Sequence, residues 1–149
     1  MTIKKISIIA DNEDYLPSKG TPGSCGYDLT ATDETIDRDN RCIVYNTGVR
    51  IQLPRGYGAL LMPRSSIYKA GPWVLSNSIG LIDQDYQGEI KAIFKCTSDE
   101  WDISEGPYKL GDKIGQLLIV PYVDIEWNTV KEFTEKTKRG LGSHGSTGR

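Results

Sequence analysis

No stretch of this chain keeps an amphipathic helical period for long, and that limits its fold more than any other feature. Sixteen glycines and seven prolines are scattered through 149 residues. Between them lie short runs rich in Ile, Val, Leu and Tyr. Residues 3–9, 27–31, 42–51, 57–62, 73–78, 89–95 and 113–120 read as strands, most with turn-forming residues near their ends. Residues 65–70 read as one short helix, stopped by Gly71-Pro72. Many short strands with frequent turns point to a sandwich or jelly roll, and away from alternating βαβ units.

Charge and special residues remove whole classes of function. Lys and Arg number 18 against 20 Asp and Glu, a net charge of −2. That balance gives no support for a general nucleic-acid partner, which usually meets a basic excess. No apolar run approaches ~18 residues, so no membrane span is expected. The N-terminal apolar run, residues 6–10, is too short for a signal peptide. The single His, His144, rules out a metal site made of two or three His from one chain. Three widely spaced cysteines without a C-x-x-C pair suggest neither a zinc site nor a disulfide framework. A reducing, cytoplasmic setting is the simpler expectation, with nuclear or virus-encoded expression left open.

Residues 131–149 differ from the rest, with five basic and two acidic side chains, net +3, against −5 for the remainder. They read either as a solvated terminus or as a mobile basic arm that closes over an anion. Gly140 to Gly145 formally matches G-x-G-x-x-G, and Gly140 to Thr147 resembles a P-loop with Ser146 at the Lys position. Only four residues follow Gly145, so the helix either motif needs cannot form. Arg139 and the Gly, Ser and Thr residues nonetheless hold the parts of a phosphate cradle.

The densest polar stretch runs from Asn77 to Glu89, between two candidate strands. It reads either as a turn-rich hairpin tip or as the rim of a pocket. On the second reading, Leu81 and Ile82 would give Asp83 an apolar surround that raises its basicity. Tyr86 would offer a flat face, and Asn77 a donor and an acceptor on one plane. Ser65 and Ser66, after Arg64, read as a helix cap or as an anion contact. Asp28 follows a glycine turn into a strand, and Gln116 stands among apolar neighbours where burial would demand a partner.

Taken in order, five segments resemble the five motifs of the trimeric dUTPase family. They are Gly26-Tyr27-Asp28-Leu29, Pro63-Arg64-Ser65-Ser66, the hairpin Gly80 to Glu89, Gly111 to Gln116, and Arg139 to Gly148. The third, Gly-Leu-Ile-Asp-x-Asp-Tyr-x-Gly-Glu, is the most specific. The resemblance implies a distorted jelly-roll-like β barrel or sandwich with one short helix and a C-terminal arm. It divides the chain into a domain over residues 1–127 and an arm over 128–149 that closes a neighbouring subunit's site. It implies a homotrimer with sites at subunit junctions, and hydrolysis of dUTP to dUMP and pyrophosphate with Mg2+.

By the same resemblance, Asp83 activates the water that attacks the α-phosphorus. Asn77 and the hairpin around Leu81 and Ile82 pair with uracil and leave no room for the thymine methyl. Tyr86 excludes a 2′-hydroxyl, and Lys91 matches a substrate contact. Arg64, Ser65, Ser66 and Gln116 meet the phosphates, and Asp28 holds Mg2+ through water. Arg139, Gly145, Ser146 and Thr147 clamp the terminal phosphates. His144 stands where the family usually has a Phe that stacks on uracil, so weaker stacking and pH sensitivity near neutrality are expected. Lys113 replaces the usual Arg of the fourth motif, and Gly115 the usual Ala. The related dCTP deaminases would carry a catalytic Glu where this chain has Ile93, which disfavours deamination. A non-catalytic nucleotide-binding module is the rival from another class.

Overall fold

The computed structural model describes residues 5–138, 140 and 142. Its strands are β1 (Ser7–Ala10), β2 (Tyr27–Thr30), β3 (Asp33–Asp37), β4 (Cys42–Asn46), β5 (Val49–Gln52), β6 (Tyr57–Pro63), β7 (Trp73–Leu75), β8 (Gly80–Ile82), β9 (Lys91–Cys96) and β10 (Lys113–Pro121). All pairings are antiparallel. One sheet runs β2-β10-β6-β8, a second β3-β4-β9-β7, and β1 pairs with β5 as a small third. This nearly all-β, jelly-roll-like architecture is the fold class expected from the turn-punctuated sequence.

The core lies between the two larger sheets, as the alternation of each strand requires. On β9, Ala92, Phe94 and Cys96 face in while Lys91, Ile93 and Lys95 face out. They meet Leu29, Ala59, Leu61, Ile82, Ile114 and Leu117 from the other sheet. Tyr45, fully buried, packs edge-on against Phe94 and Tyr108 and donates its hydroxyl to the Tyr108 carbonyl at 2.8 Å.

Three elements differ from the expectation. The run 42–51 is two strands in different sheets, because Gly48 adopts φ +66° and turns the chain after Thr47. Asp33–Asp37 pairs with β4 although its sequence is polar, because it is an edge strand with little to bury. The run 73–78 ends at Leu75, where Asn77 and Ser78 form a turn with Ser78 at φ +61°. The short helix is a 3₁₀ turn over Ser65–Lys69, and a second such turn occurs at Glu13–Tyr15, capped by Asn12.

Candidate active site

Two groups of the expected site residues form, at different places on the sheet β2-β10-β6-β8. The first is the hairpin. A pocket of about 240 Å³ is lined by Asn77, Leu81, Ile82, Asp83, Tyr86 and Lys91, with Leu61, Gly80, Glu89 and Ile90 completing its wall. The strand β8 is only three residues long, so the chain turns back at Asp83, where the Tyr86 amide donates to the Asp83 carbonyl at 3.2 Å. Gly80 admits the Asn77 amide, whose nitrogen lies 3.4 Å from where a Cβ would stand.

Tyr86 is held by its own hairpin. Its hydroxyl donates to the Glu89 carbonyl at 2.9 Å, across a Gly88 that has no side chain to obstruct it. A Cβ at Gly88 would lie 2.5 Å from that hydroxyl. Glu89, which sequence reasoning passed over, anchors the stem. Its carboxylate accepts from the Gly48 amide at 2.8 Å and the Asn46 side chain at 3.1 Å, and lies 3.8 Å from the Lys91 ammonium. The signal for it was a carboxylate closing a polar hairpin, two residues before a lysine on the same strand face.

Asp83 is exposed in the single chain. Leu81 is 67 % exposed and points away from the core, while Ile82 is buried beneath the sheet. The apolar surround expected for Asp83 is partial among the described residues: Leu81, Val120 and Tyr122 line one cavity with Asp83 and leave it open to solvent.

The second group gathers at the other end of the sheet. Register places Asp28, Gln116 and Met62 side by side on adjacent strands. Asp28 is buried, which demands a partner. It has two: the Lys113 ammonium at 2.9 Å and the Arg64 guanidinium at 3.8 Å. Arg64 also donates to the Lys113 carbonyl at 3.1 Å, so it spans from the end of β6 to the start of β10. Lys113 thus serves Asp28 within the chain, a pairing that the β2–β10 register would have exposed. Gln116 lies against Gly26, where a Cβ would come 3.2 Å from its side-chain oxygen.

Ser65 and Ser66 open the 3₁₀ turn, but the cap position belongs to Arg64 and no side chain caps the turn. The helix-cap reading of Ser65 is thereby set aside. Arg139, His144, Gly145, Ser146 and Thr147 lie outside the described residues.

A small pocket edged by an amide, a tyrosine and a carboxylate, with a separate arginine-lysine cluster, has the chemistry of a protein that handles a small nucleotide. A family model described as dUTPase matches residues 12–148. The chain is 41 % identical to the deoxyuridine 5′-triphosphate nucleotidohydrolase of Polynucleobacter asymbioticus, with 91 % of this chain and 90 % of that protein covered. It is 37 % identical to the protein of the same name from Bordetella pertussis, with the same coverage. The structure of Staphylococcus bacteriophage 80alpha dUTPase with dUpNHpp has the same fold, with TM-score 0.81 at 23 % identity over 99 % of this chain and 100 % of that one. A mutant dUTPase of phage phi11 of S. aureus, described with a structural Mg(II) ion, gives 0.71 at 25 % identity over 87 % of this chain and 99 % of that one. This chain belongs to the dUTPase family.

Proposed function

We propose that the chain hydrolyses dUTP to dUMP and pyrophosphate. The observation that carries this reading is the pocket of about 240 Å³, which unites Asn77, Leu81, Ile82, Asp83, Tyr86 and Lys91 in a chain of this family. Asn77 and the β8 backbone pair with the uracil edge. Tyr86, pinned through Glu89, stands against the deoxyribose and leaves no space for a 2′-hydroxyl. Asp83 takes a proton from the water that attacks the α-phosphorus, and pyrophosphate departs. Arg64, Ser65, Ser66 and Gln116 bind the phosphates.

Mg2+ sites commonly use one or two carboxylates plus the nucleotide's phosphates, with several waters retained. Among the described residues no three His, Cys, Asp or Glu side chains gather as a metal site, and Asp28 is the carboxylate beside the proposed phosphate contacts. An ion that arrives with the nucleotide would meet Asp28 through water, with Lys113 and Arg64 holding the carboxylate in place. Bound there, it neutralises triphosphate charge.

The site is completed by other copies of the chain in a homotrimer. Asp83 follows Ile82, which pairs with Ala59, whereas Arg64 lies beyond the far end of β6. At roughly 3.3 Å per residue, about 20 Å of strand separates the level of Asp83 from Arg64. Asp83 and Arg64 of one chain therefore stand far apart along the strand, which favours their serving different sites. The outer face of this sheet carries Leu118, Leu60 and Leu81 in one cross-strand row, suited to contact with a neighbour. Beyond β10, Val123, Ile125, Trp127 and Phe133 are exposed, which supports an arm from residue 128 that lies on another subunit.

The test is pyrophosphate release from dUTP, dCTP, dTTP and UTP with Mg2+, for wild type and Asp83→Asn. Release from dUTP alone, reduced by about 10² to 10⁴-fold in the variant, is the expected result. Binding of dUTP without any release would favour the non-catalytic module.

A further inference from the structure

The loop after β9 carries an acidic run and Trp101, and nothing in the site described above uses it. Its contacts converge on one place. The edge of the Trp101 indole covers Gly71, where a Cβ would lie 2.9 Å from the ring. Gly71 has φ +102°, a conformation that favours glycine. Next to it, the Pro72 carbonyl accepts from both the Thr97 amide, at 2.7 Å, and the Thr97 hydroxyl, at 3.0 Å. Gly71 and Pro72 immediately follow the 3₁₀ turn Ser65–Lys69 and its end at Ala70. The loop therefore grips the far end of the turn that begins with Ser65 and Ser66.

The loop is itself held by Arg41. The guanidinium donates to the carbonyls of Trp101, at 2.9 Å, and Ser98, and its Nε lies 3.5 Å from an Asp99 carboxylate oxygen. The indole nitrogen closes the loop on the Glu105 carbonyl at 3.2 Å, and Ile103 is buried in the core. Arg41 sits at φ +52°, in the left-handed region where a side chain is strained. A glycine would adopt that backbone with less strain, but it would supply no guanidinium to the loop.

Resting on the reading of Ser65 and Ser66 as phosphate contacts, we infer that Arg41 and Trp101 are positioning residues, which brace the Ser65–Lys69 turn through Gly71 and fix its hydroxyls for the triphosphate. They touch no substrate. Their loss therefore weakens recognition of the phosphates and spares recognition of base and sugar.

The experiment compares wild type, Trp101→Ala, Trp101→Phe and Arg41→Gly. Calorimetry with Mg2+ measures the Kd of dUpNHpp and of deoxyuridine, which lacks phosphate, and dUTP turnover is followed in parallel. Trp101→Ala and Arg41→Gly are expected to weaken dUpNHpp about tenfold and raise the KM for dUTP alike, with deoxyuridine within about twofold of wild type. Trp101→Phe keeps an aromatic ring over Gly71 and should recover most of the loss. Arg41→Gly keeps the indole and suits the left-handed backbone while removing the loop's anchor, so it reports even where Trp101→Ala does not fold. Unchanged dUpNHpp affinity in both variants, or equal weakening of dUpNHpp and deoxyuridine, overturns the brace while the site reading stands. A wild-type chain that binds neither ligand overturns the site reading, and the brace with it.

Discussion

Among the described residues Tyr45 is the largest fully buried side chain, and its hydroxyl is tolerated in the core because it has partners. It donates to the Tyr108 carbonyl and receives the Tyr108 amide at 3.3 Å. Burial pushes its pKa from 10.0 up to about 12, outweighing the opposing effect of the hydrogen bond. The unfolded chain thus loses this proton first as pH rises. The contribution to stability is full below about pH 10 and is lost between pH 10 and 12. Tyr45→Phe should destabilise the fold by about 1 to 3 kcal/mol at neutral pH, because the half-buried Tyr108 backbone groups lose the Tyr45 hydroxyl. It should also flatten the fall in stability above pH 10, which urea titrations at pH 8 and 11 would read. Tyr45 was legible as an apolar-run residue, but its polar pairing was not, since Tyr108 lies 63 positions further along the chain.

At the scale of elements, the hairpin from Gly80 to Glu89 shows what spacing can and cannot convey. Asn77, Asp83 and Tyr86 were readable as one constellation because they are close in sequence. The anchor that fixes them was not, because Glu89 reaches Gly48 and Asn46 across 41 and 43 residues. The Asp28, Arg64 and Lys113 cluster was hidden for the same reason, since only the β2–β10–β6 register brings these residues together. Strand β3 was missed because an edge strand need not be apolar. Within the hairpin, Gly88 is the residue that lets Tyr86 fold over its own stem. Gly88→Ala should push the exposed phenol out of place at little cost in stability. The expected result is about a tenfold smaller preference for dUTP over UTP, read from the ratio of kcat/KM values, with the melting temperature nearly unchanged.

At the scale of the whole molecule, the two groups of site residues stand apart within one chain. The hairpin pocket and the Asp28 cluster lie toward opposite ends of one sheet, on its two edge strands and the pair between them. Asp83 stands exposed, and in the leucine row on the outer face Leu81 is exposed while Leu60 and Leu118 are half-buried. We propose that working sites for dUTP are assembled from more than one copy. Subunit complementation tests it most directly. Asp83→Asn and Arg64→Ala chains are each assayed alone for pyrophosphate release from dUTP, then unfolded together, refolded as a mixture and assayed again. Recovery of activity well above the sum of the two, from sites that draw an intact Asp83 from one chain and an intact Arg64 from another, is the predicted result. A mixture no more active than its parts, from variants shown to co-assemble, would contradict the shared site and return both clusters to a single chain.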